Sequence, residues 1–404
     1  MDNSELLGPF LRRVAIENYK SIEKCDVALR PLTALVGRNG SGKSNFLDAL
    51  RFVVDALQTS LDHAIKSRGG IDTVRRKSTG HPRNFAVHLE LTLPGLLLAN
   101  YGFELTARKN GAFAVKLEYL DVRDKSARTV ASYRREERSL SASVASSPPV
   151  LDDRLYLVNA AGLPEFRPAY DALRAMGFYN LNPEAMKELQ SPDAGELLHA
   201  DGANIASVVA RLSAEKTGTI DRIKDYLATI VPGISNVERV SLGPRETLQF
   251  AQRVQGAQHP WNFYAVSMSD GTLRALGALV AVTQISGSAE TIKLVGIEEP
   301  ETALHPAATN ALMSALREAS QHTQILLTTH SPDLLDQIEL ETEGMLVVTS
   351  KDGTTHIAPA DPASSEAIRN HLSTPGELLR MDQLEPDPDD VRRQLELFAA
   401  SSSA

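Results

Sequence analysis

The octet Gly37-Arg38-Asn39-Gly40-Ser41-Gly42-Lys43-Ser44 constrains this chain more than any other stretch. It follows the apolar run Pro31–Val36 and fits the phosphate-binding pattern Gly-x-x-x-x-Gly-Lys-Ser/Thr. A strand (Leu32–Val36) leads in and a helical pattern (Asn45–Leu57) leads out. Gly37, Gly40 and Gly42 let the backbone take positive φ and bring its N–H groups close to phosphate oxygens. The helix that follows adds roughly half a positive charge at its N-terminus. Lys43 is placed to reach the β- and γ-phosphates and the Ser44 hydroxyl to take a place on Mg²⁺. The expected nucleotide cradle therefore runs through Gly37, Arg38, Asn39, Gly40, Ser41, Gly42, Lys43, Ser44 and Asn45. By itself the loop specifies nucleotide binding and not its purpose.

Composition sets outer limits. A chain of 404 residues makes two or three domains, or one large domain with insertions. Cys25 is the only cysteine, which excludes an intrachain disulfide and a zinc cluster of cysteines, and favours a reducing, cytoplasmic setting. No basic region followed by an apolar core opens the chain, so no signal peptide is expected. The longest apolar stretch, Leu276–Val282, is too short to cross a bilayer, so no membrane partner is expected. Net charge is −9, from 42 basic and 51 acidic residues, which argues against a general nucleic-acid coat and leaves only a local basic groove open. Basic residues gather at Arg12-Arg13, Lys66–Lys77 and Arg134-Arg135-Arg138, read as solvated faces before DNA contacts. Acids crowd the tail at Asp382, Glu385, Asp387, Asp389 and Asp390.

Periodicity gives strands at Val14–Tyr19 and Val27–Leu29, then clean alternation at Phe85–Leu93, Tyr101–Thr106 and Phe113–Tyr119. These read as an antiparallel sheet with hairpins such as Lys109-Asn110-Gly111. The Ser/Ala/Pro stretch Ser139–Pro149 reads as an exposed or disordered loop. Helical spacing at Pro168–Met176, Pro183–Leu189, Ala203–Ala214 and Ile220–Ile230 makes a small helical insert. Strands return at Val237–Val240 and Thr247–Val254. A helix at Thr272–Thr283 precedes a buried strand at Ile292–Ile297. Helix Ala307–Ala319, strand Gln324–Thr328, helix Pro332–Gln337 and strand Met345–Thr349 complete the pattern. No tandem repeat and no long heptad run is present.

Three further stretches carry chemistry. Val295–Ile297 delivers Glu298-Glu299-Pro300-Glu301 at a strand end, where local geometry breaks the alternation of faces. Glu298 is assigned to the metal and Glu299 to the attacking water, against the alternative of a solvated acidic turn. Thr328-Thr329-His330-Ser331-Pro332 closes another apolar strand. A neutral His330 there can donate to the γ-phosphate or the attacking water and so tell triphosphate from diphosphate; a structural histidine is the alternative. In Ser267-Met268-Ser269-Asp270-Gly271-Thr272, Ser269 is a good N-cap and Gly271 leaves the backbone open, properties that also suit a second anion site.

Taken together, these positions resemble the ABC-type ATPase heads of the RecF, SMC and OLD families. Ser269–Thr272 stands where that class has its signature and Glu298-Glu299-Pro300 where it has the second Walker motif. His330 matches the switch histidine, and Thr302-Ala303-Leu304-His305 the loop that contacts a partner subunit. Ile16–Ile22 is similar to the first strand, and Arg68-Gly69-Gly70 to an arginine-bearing loop. The likeness runs from Arg13 to about Thr349. It is nearest to compact ATPases whose acid strand ends in Glu-Glu-Pro-Glu and continues to Leu-His-Pro, as Leu304-His305-Pro306 does here.

The resemblance implies an α/β P-loop fold of ABC-ATPase type: a mixed central sheet, an antiparallel β subdomain and a small helical insert. The head is expected over residues 10–349, with an N-terminal lobe at 10–135, the insert at 150–232 and a C-terminal lobe at 235–349; an extension and acidic tail fill 350–404. ATP and Mg²⁺ are the implied cofactors. Lys43, Glu299 and His330 are the implied catalytic residues, Ser44 and Glu298 the metal ligands. Ser269 and Gly271 would meet the γ-phosphate across a homodimer with two sandwiched ATP molecules. The regulated target is DNA or an effector protein, in repair, chromosome maintenance or phage defence. There are departures: Glu298 replaces the usual Asp, Asp270 replaces the first signature glycine, and too little chain follows Met345 for a Toprim domain. No glutamine loop is placed, since Gln58 is helical by pattern and Gln190 lies in the insert. Asp387-Pro388-Asp389 mimics a metal pair but reads as a flexible acidic tail. A transporter's nucleotide-binding subunit and a small-molecule P-loop kinase are the competing classes; the second leaves Ser269–Thr272 unexplained.

Overall fold

The computed structural model describes residues 9–78, 82–144, 147–215, 217–284 and 292–401. It divides into two compact units. The first is built from three chain segments, 1–176, 344–373 and 381–404; the second holds 177–343 with 374–380.

In the first unit, a meander supplies one side of a mixed sheet. From its edge the order is Ser139–Ala142, Thr129–Glu136, Phe113–Arg123, Leu97–Ala107 and Asn84–Leu93. The sheet then continues through Leu11–Tyr19, Ile22–Ala28, Thr354–Ala358, Gly344–Lys351 and Leu32–Val36. The meander and the first hairpin are antiparallel, whereas Gly344–Lys351 runs parallel to Leu32–Val36. Alternation explains the packing. Phe85 and Phe103 face inward with Tyr19 and meet Phe52 of the helix Lys43–Gln58; the Phe52–Phe85 ring centroids are 5.5 Å apart and nearly perpendicular. Every residue of Leu32–Val36 is buried, as a strand covered on both faces requires.

The second unit has a short sheet in the order Gln324–Thr329, Leu294–Glu298 and Met176–Tyr179, with the first two parallel. The buried helix Asp270–Thr283 packs with Thr219–Ile230 and Pro306–Ser320. A separate antiparallel sheet joins Ile234–Leu242, Arg245–Gln252 and Trp261–Tyr264.

Four expectations need correction. Ser139–Ala142 is a strand, because Glu137 and Arg138 make a two-residue turn that pairs Ser139 with Glu136; residues 145 and 146 of that stretch lie outside the described residues. The backbone ladder needs no apolar side chains there. Ile22–Ala28 is a full strand and not the short Val27–Leu29. Helix Arg167–Arg174 stops before Met176, which begins a strand. The tail is a helix, Pro388–Ser401. Its acids fill the first turn, Pro388 takes the first helical position, and Asp387 accepts the N–H groups of Asp389 (2.9 Å) and Asp390 (3.4 Å). Gln394 fastens this helix by donating to the Ile357 carbonyl (3.0 Å) and accepting from the Asp26 N–H (3.3 Å).

Several residues of the basic clusters pair with acids of the fold. Arg68 is buried against Asp48 and Asp55, and Arg135 is buried near Glu118, so neither is solvated. Arg76 pairs with Glu23, Arg134 with Glu136 and Arg138 with Asp152.

Candidate functional site

The phosphate loop lies in the first unit, where three backbone constraints fix its shape. A Cβ on Gly37 would sit 2.0 Å from the Val348 carbonyl oxygen. Gly40 and Gly42 hold φ of +79° and +105°, and a Cβ on Gly42 would fall 2.1 Å from Thr355 Oγ1. Only glycine meets these conditions. The helix begins at Lys43 with Gly42 as its cap and no acid in its first turn, which leaves the positive end uncompensated. Lys43 is buried, and its Nζ donates to the carbonyls of Gly37 (2.7 Å) and Arg38 (2.9 Å), which draws the ammonium back over the loop's own entrance. Ser44, Arg38, Asn39 and Gly40 are exposed; Ser41 is buried.

A relay of hydroxyls underlies the loop. Thr355 Oγ1 donates to the Ser41 carbonyl (2.9 Å) and lies 2.7 Å from Ser21 Oγ. Asn45 Nδ2 donates to Ser21 Oγ (2.6 Å), so this expected ligand contact serves the scaffold instead. Arg38 forms an exposed ion pair with Asp382 at 3.2 Å. A glycine-shaped loop, a lysine ammonium and an acid-free helix start suit a polyphosphate. Among the described residues no group of three or more His, Cys, Asp and Glu could hold a metal ion.

The acid turn, the histidine and the signature lie in the second unit. Leu294–Glu298 pairs with Gln324–Thr329 in the register Glu298 to Thr328, so both strands end together. Glu299 then leaves the strand at φ +43°, with its N–H bonded to the Thr328 carbonyl at 3.0 Å. A glutamate in the left-handed region is uncommon, and here it swings the carboxylate across to the next strand's end. His330 Nδ1 lies 3.1 Å from Glu299 Oε1; both side chains are partly exposed. Glu298 is half-buried beside them. Glu301, three residues on, is 6% exposed, and burial raises its carboxyl pKa against the opposing hydrogen bond from Thr329.

Ser269 caps the helix Asp270–Thr283, accepting from the Thr272 N–H at 3.2 Å. Gly271 is buried, and a Cβ there would lie 2.2 Å from the Ala303 carbonyl oxygen. The signature therefore packs directly on the Thr302–His305 loop. Asp270 is not bare: Lys187 Nζ reaches its carboxylate at 2.6 Å, and Glu184 at 2.9 Å.

The second unit thus brings Glu298, Glu299 and His330 together and joins Ser269 and Gly271 to the loop that follows the acids. The first unit holds every loop residue from Gly37 to Asn45. Sequence reasoning missed Thr355 and Lys187, and gave Thr329, visible in the histidine motif, no task. The first two touch their targets over 314 and 83 residues, a separation at which no local pattern survives. Glu301 was visible in the motif and was given no task.

A family model described as "AAA domain, putative AbiEii toxin, Type IV TA system" matches residues 32–336. The chain is 23% identical over 380 residues to an OLD nuclease of Thermus scotoductus, covering 91% of this chain and 68% of that protein. A 48-residue stretch is 48% identical to the DNA replication and repair protein RecF of Trichlorobacter lovleyi, covering 12% of this chain and 13% of that one. Among solved structures, an Smc head bound to the C-winged helix domain of ScpA matches with a TM-score of 0.52 and 15% identity, over 88% of this chain and 100% of that one. An Smc head with an extended coiled coil, bound to the C-terminal domain of ScpA derived from Pyrococcus furiosus, matches with a TM-score of 0.52 and 12% identity, over 90% and 99%. At these identities the structural likeness is one of fold. No helix among the described residues is long and apolar enough to cross a membrane. The family match spans most of the chain and includes the phosphate loop, the signature, the acid turn and the histidine: the chain belongs to the AAA-domain family described above, and its fold is the ABC-type ATPase head of the RecF, SMC and OLD group.

Proposed function

We propose that this chain is a cytoplasmic ATPase that binds ATP, dimerises on it, and uses hydrolysis to switch an activity directed at DNA or at a protein effector. The observation that carries the reading is the approach of His330 Nδ1 to within 3.1 Å of Glu299 Oε1, on a carboxylate turned out of its strand by a left-handed backbone. A left-handed backbone at a non-glycine residue is costly, and here it turns the carboxylate out of the strand, which suits a residue that must face water.

In this reading the N–H groups from Gly37 to Ser44 and the Lys43 ammonium receive the phosphates. Lys43 exchanges its two carbonyl partners for phosphate oxygens, so it is held near its working position beforehand. Mg²⁺, when bound, neutralises charge on the phosphate oxygens; the Ser44 hydroxyl and Glu298 would hold it. Glu299 orients and deprotonates the attacking water, and His330 holds Glu299 and senses the γ-phosphate. Ser269 and the Thr302–His305 loop form the surface offered to a second copy, with the buried Gly271 packed beneath it. The close packing of Gly271 on Ala303 supports treating them as one surface. ATP then favours the closed dimer through its γ-phosphate, and hydrolysis withdraws that preference. The printed names of two relatives, an OLD nuclease and the DNA replication and repair protein RecF, support a target in DNA repair or maintenance; phage defence is the alternative setting of this reading.

Sedimentation with and without ATP, alongside turnover, tests this. Lys43→Ala should not bind ATP. Glu299→Gln should bind ATP, hydrolyse it about 100-fold more slowly or worse, and accumulate as a dimer. Parental turnover by Glu299→Gln would remove the assignment of the water-activating residue. Turnover measured with single-stranded DNA, duplex DNA or neither separates the targets. Stimulation that falls steeply with salt means a phosphate-backbone track, and no response means a protein partner.

A further inference from the structure

Glu301 is a buried acid for which the proposed mechanism has no task. Its side chain is 6% exposed, and its Oε2 has no hydrogen-bond partner. Its Oε1 accepts from Thr329 Oγ1, and Thr329 is fully buried. The same Thr329 oxygen accepts the N–H of Ser331 at 3.0 Å. The hydroxyl therefore brackets His330 from both sides in sequence, and its proton is committed to Glu301. On the other side, the Glu301 carbonyl accepts the Leu304 N–H at 2.9 Å, and the Glu299 carbonyl accepts the Thr302 N–H at 3.1 Å. Glu301 is thus built into the turn that presents Glu299.

Two side-chain bridges consequently join the acid turn to the histidine turn. The outer one is a 3.1 Å approach of His330 Nδ1 to Glu299 Oε1 that lacks hydrogen-bond alignment: the two side chains are partly exposed, and Nδ1 itself is buried without a hydrogen bond. The inner one, Glu301 to Thr329, is buried. An interaction in low dielectric keeps its geometry better than one in water, where each partner has competing donors and acceptors. A partly exposed carboxylate and imidazole would otherwise sample several rotamers at little cost.

We propose that Glu301 is a positioning residue for hydrolysis: through Thr329 it fixes the His330 turn, and thereby sets the distance between His330 and Glu299. This rests on the reading of Glu299 and His330 as the water-activating pair. A burial requirement alone would be met by an apolar residue. The carboxylate is kept because it must accept the Thr329 proton, so that the hydroxyl's lone pairs remain for the Ser331 N–H.

The test uses the full chain and compares six variants in steady-state ATP hydrolysis and in ATP binding. Glu301→Ala and Thr329→Val each break the inner bridge, the second with almost no change in volume. Both should lower kcat by about 10- to 100-fold, the range a displacement of around 1 Å costs, while KM and ATP affinity stay within about twofold. Glu301→Gln and Thr329→Ser preserve an acceptor and a hydroxyl and should retain most of the parental kcat. Glu301→Ala combined with Thr329→Val should lose no more than either alone. The inference is overturned if Thr329→Val, folded and binding ATP normally, turns over at the parental rate. It is equally overturned if Glu301→Gln is as impaired as Glu301→Ala, since that would mean the negative charge itself acts. Glu299→Gln is the control. If it too keeps parental turnover, the reading of the pair has failed; if it alone is inactive, only the role of Glu301 has failed.

Discussion

Replacing Thr355 with valine should weaken ATP binding although Thr355 belongs to no nucleotide motif. The exchange keeps shape and removes one hydroxyl. That hydroxyl donates to the buried Ser41 carbonyl at 2.9 Å and is bonded to Ser21 Oγ at 2.7 Å, and Ser21 in turn accepts from Asn45. Two bonds worth about 0.5–1.5 kcal/mol each are lost, and the Ser41 carbonyl is left without this donor, a further cost of about 1–3 kcal/mol. Part of the sum is recovered by relaxation, so unfolding in urea should register a loss of about 2 kcal/mol. The carbonyl of Ser41 and the N–H of Gly42 share one peptide plane, so any turn of the freed carbonyl also turns a phosphate-facing donor. Affinity for ATP, measured calorimetrically, should therefore drop about tenfold, equal to 1.4 kcal/mol. Thr355→Ser keeps the hydroxyl and should bind ATP within about twofold of the parent. If Thr355→Val loses stability and binds ATP normally, the relay is scaffold only. If neither property changes, the loop is held by its glycines alone.

Other outcomes follow from the same geometry. Glu118 accepts from the N–H groups of Tyr156 and Leu157 and from the hydroxyls of Tyr133 and Tyr101, with Arg135 3.9 Å away; Glu118→Ala should cost about 3–5 kcal/mol in urea unfolding by stranding those donors. Burial lowers the pKa of both His88 and His356, so the fold favours their neutral forms. Their contribution is then fully present above the unfolded value near 6.5 and is lost as pH falls below it, by at most about 1.4 kcal/mol per pH unit for each. His88→Gln should flatten thermal stability between neutral pH and pH 5.5. Lys187→Ala strips Asp270 of its counter-charge at a helix start; it should cost less than about 1 kcal/mol of stability yet weaken the ATP-dependent dimer seen in sedimentation.

Much of this was legible in the chain because the signals are local. The phosphate octet, the strand Leu32–Val36 and the alternation from Phe85 onward depend on neighbours a few residues apart, and each reappears in place. The acid turn and the histidine were found by residue type at a strand end, and parallel register brings them together. Composition misled where backbone bonding decides. Ser139–Ala142 gains its ladder from a tight turn, and the acidic tail forms a helix because Asp387, Pro388 and the first-turn acids complement a helix start. The roles of Thr355, Thr329 and Lys187 depend on which strand or helix lands beside which, and that is a property of topology and not of any window of residues. Gly271 shows the same limit: read as open backbone, it is a contact point that admits no side chain.

The hydroxyl relay beneath the phosphate loop also has a bearing on biosynthesis. Ser41 and its donor Thr355 are 314 positions apart, and the hairpin that carries Thr355 belongs to the final fifth of the chain. At about 5–20 residues per second, a ribosome needs roughly 15–60 s to proceed from one to the other. Throughout that interval the nucleotide loop has been synthesised without the strand that supports it. An interrupted translation product would carry the octet intact yet hold it loosely, so a prematurely ended chain would compete poorly for cellular ATP.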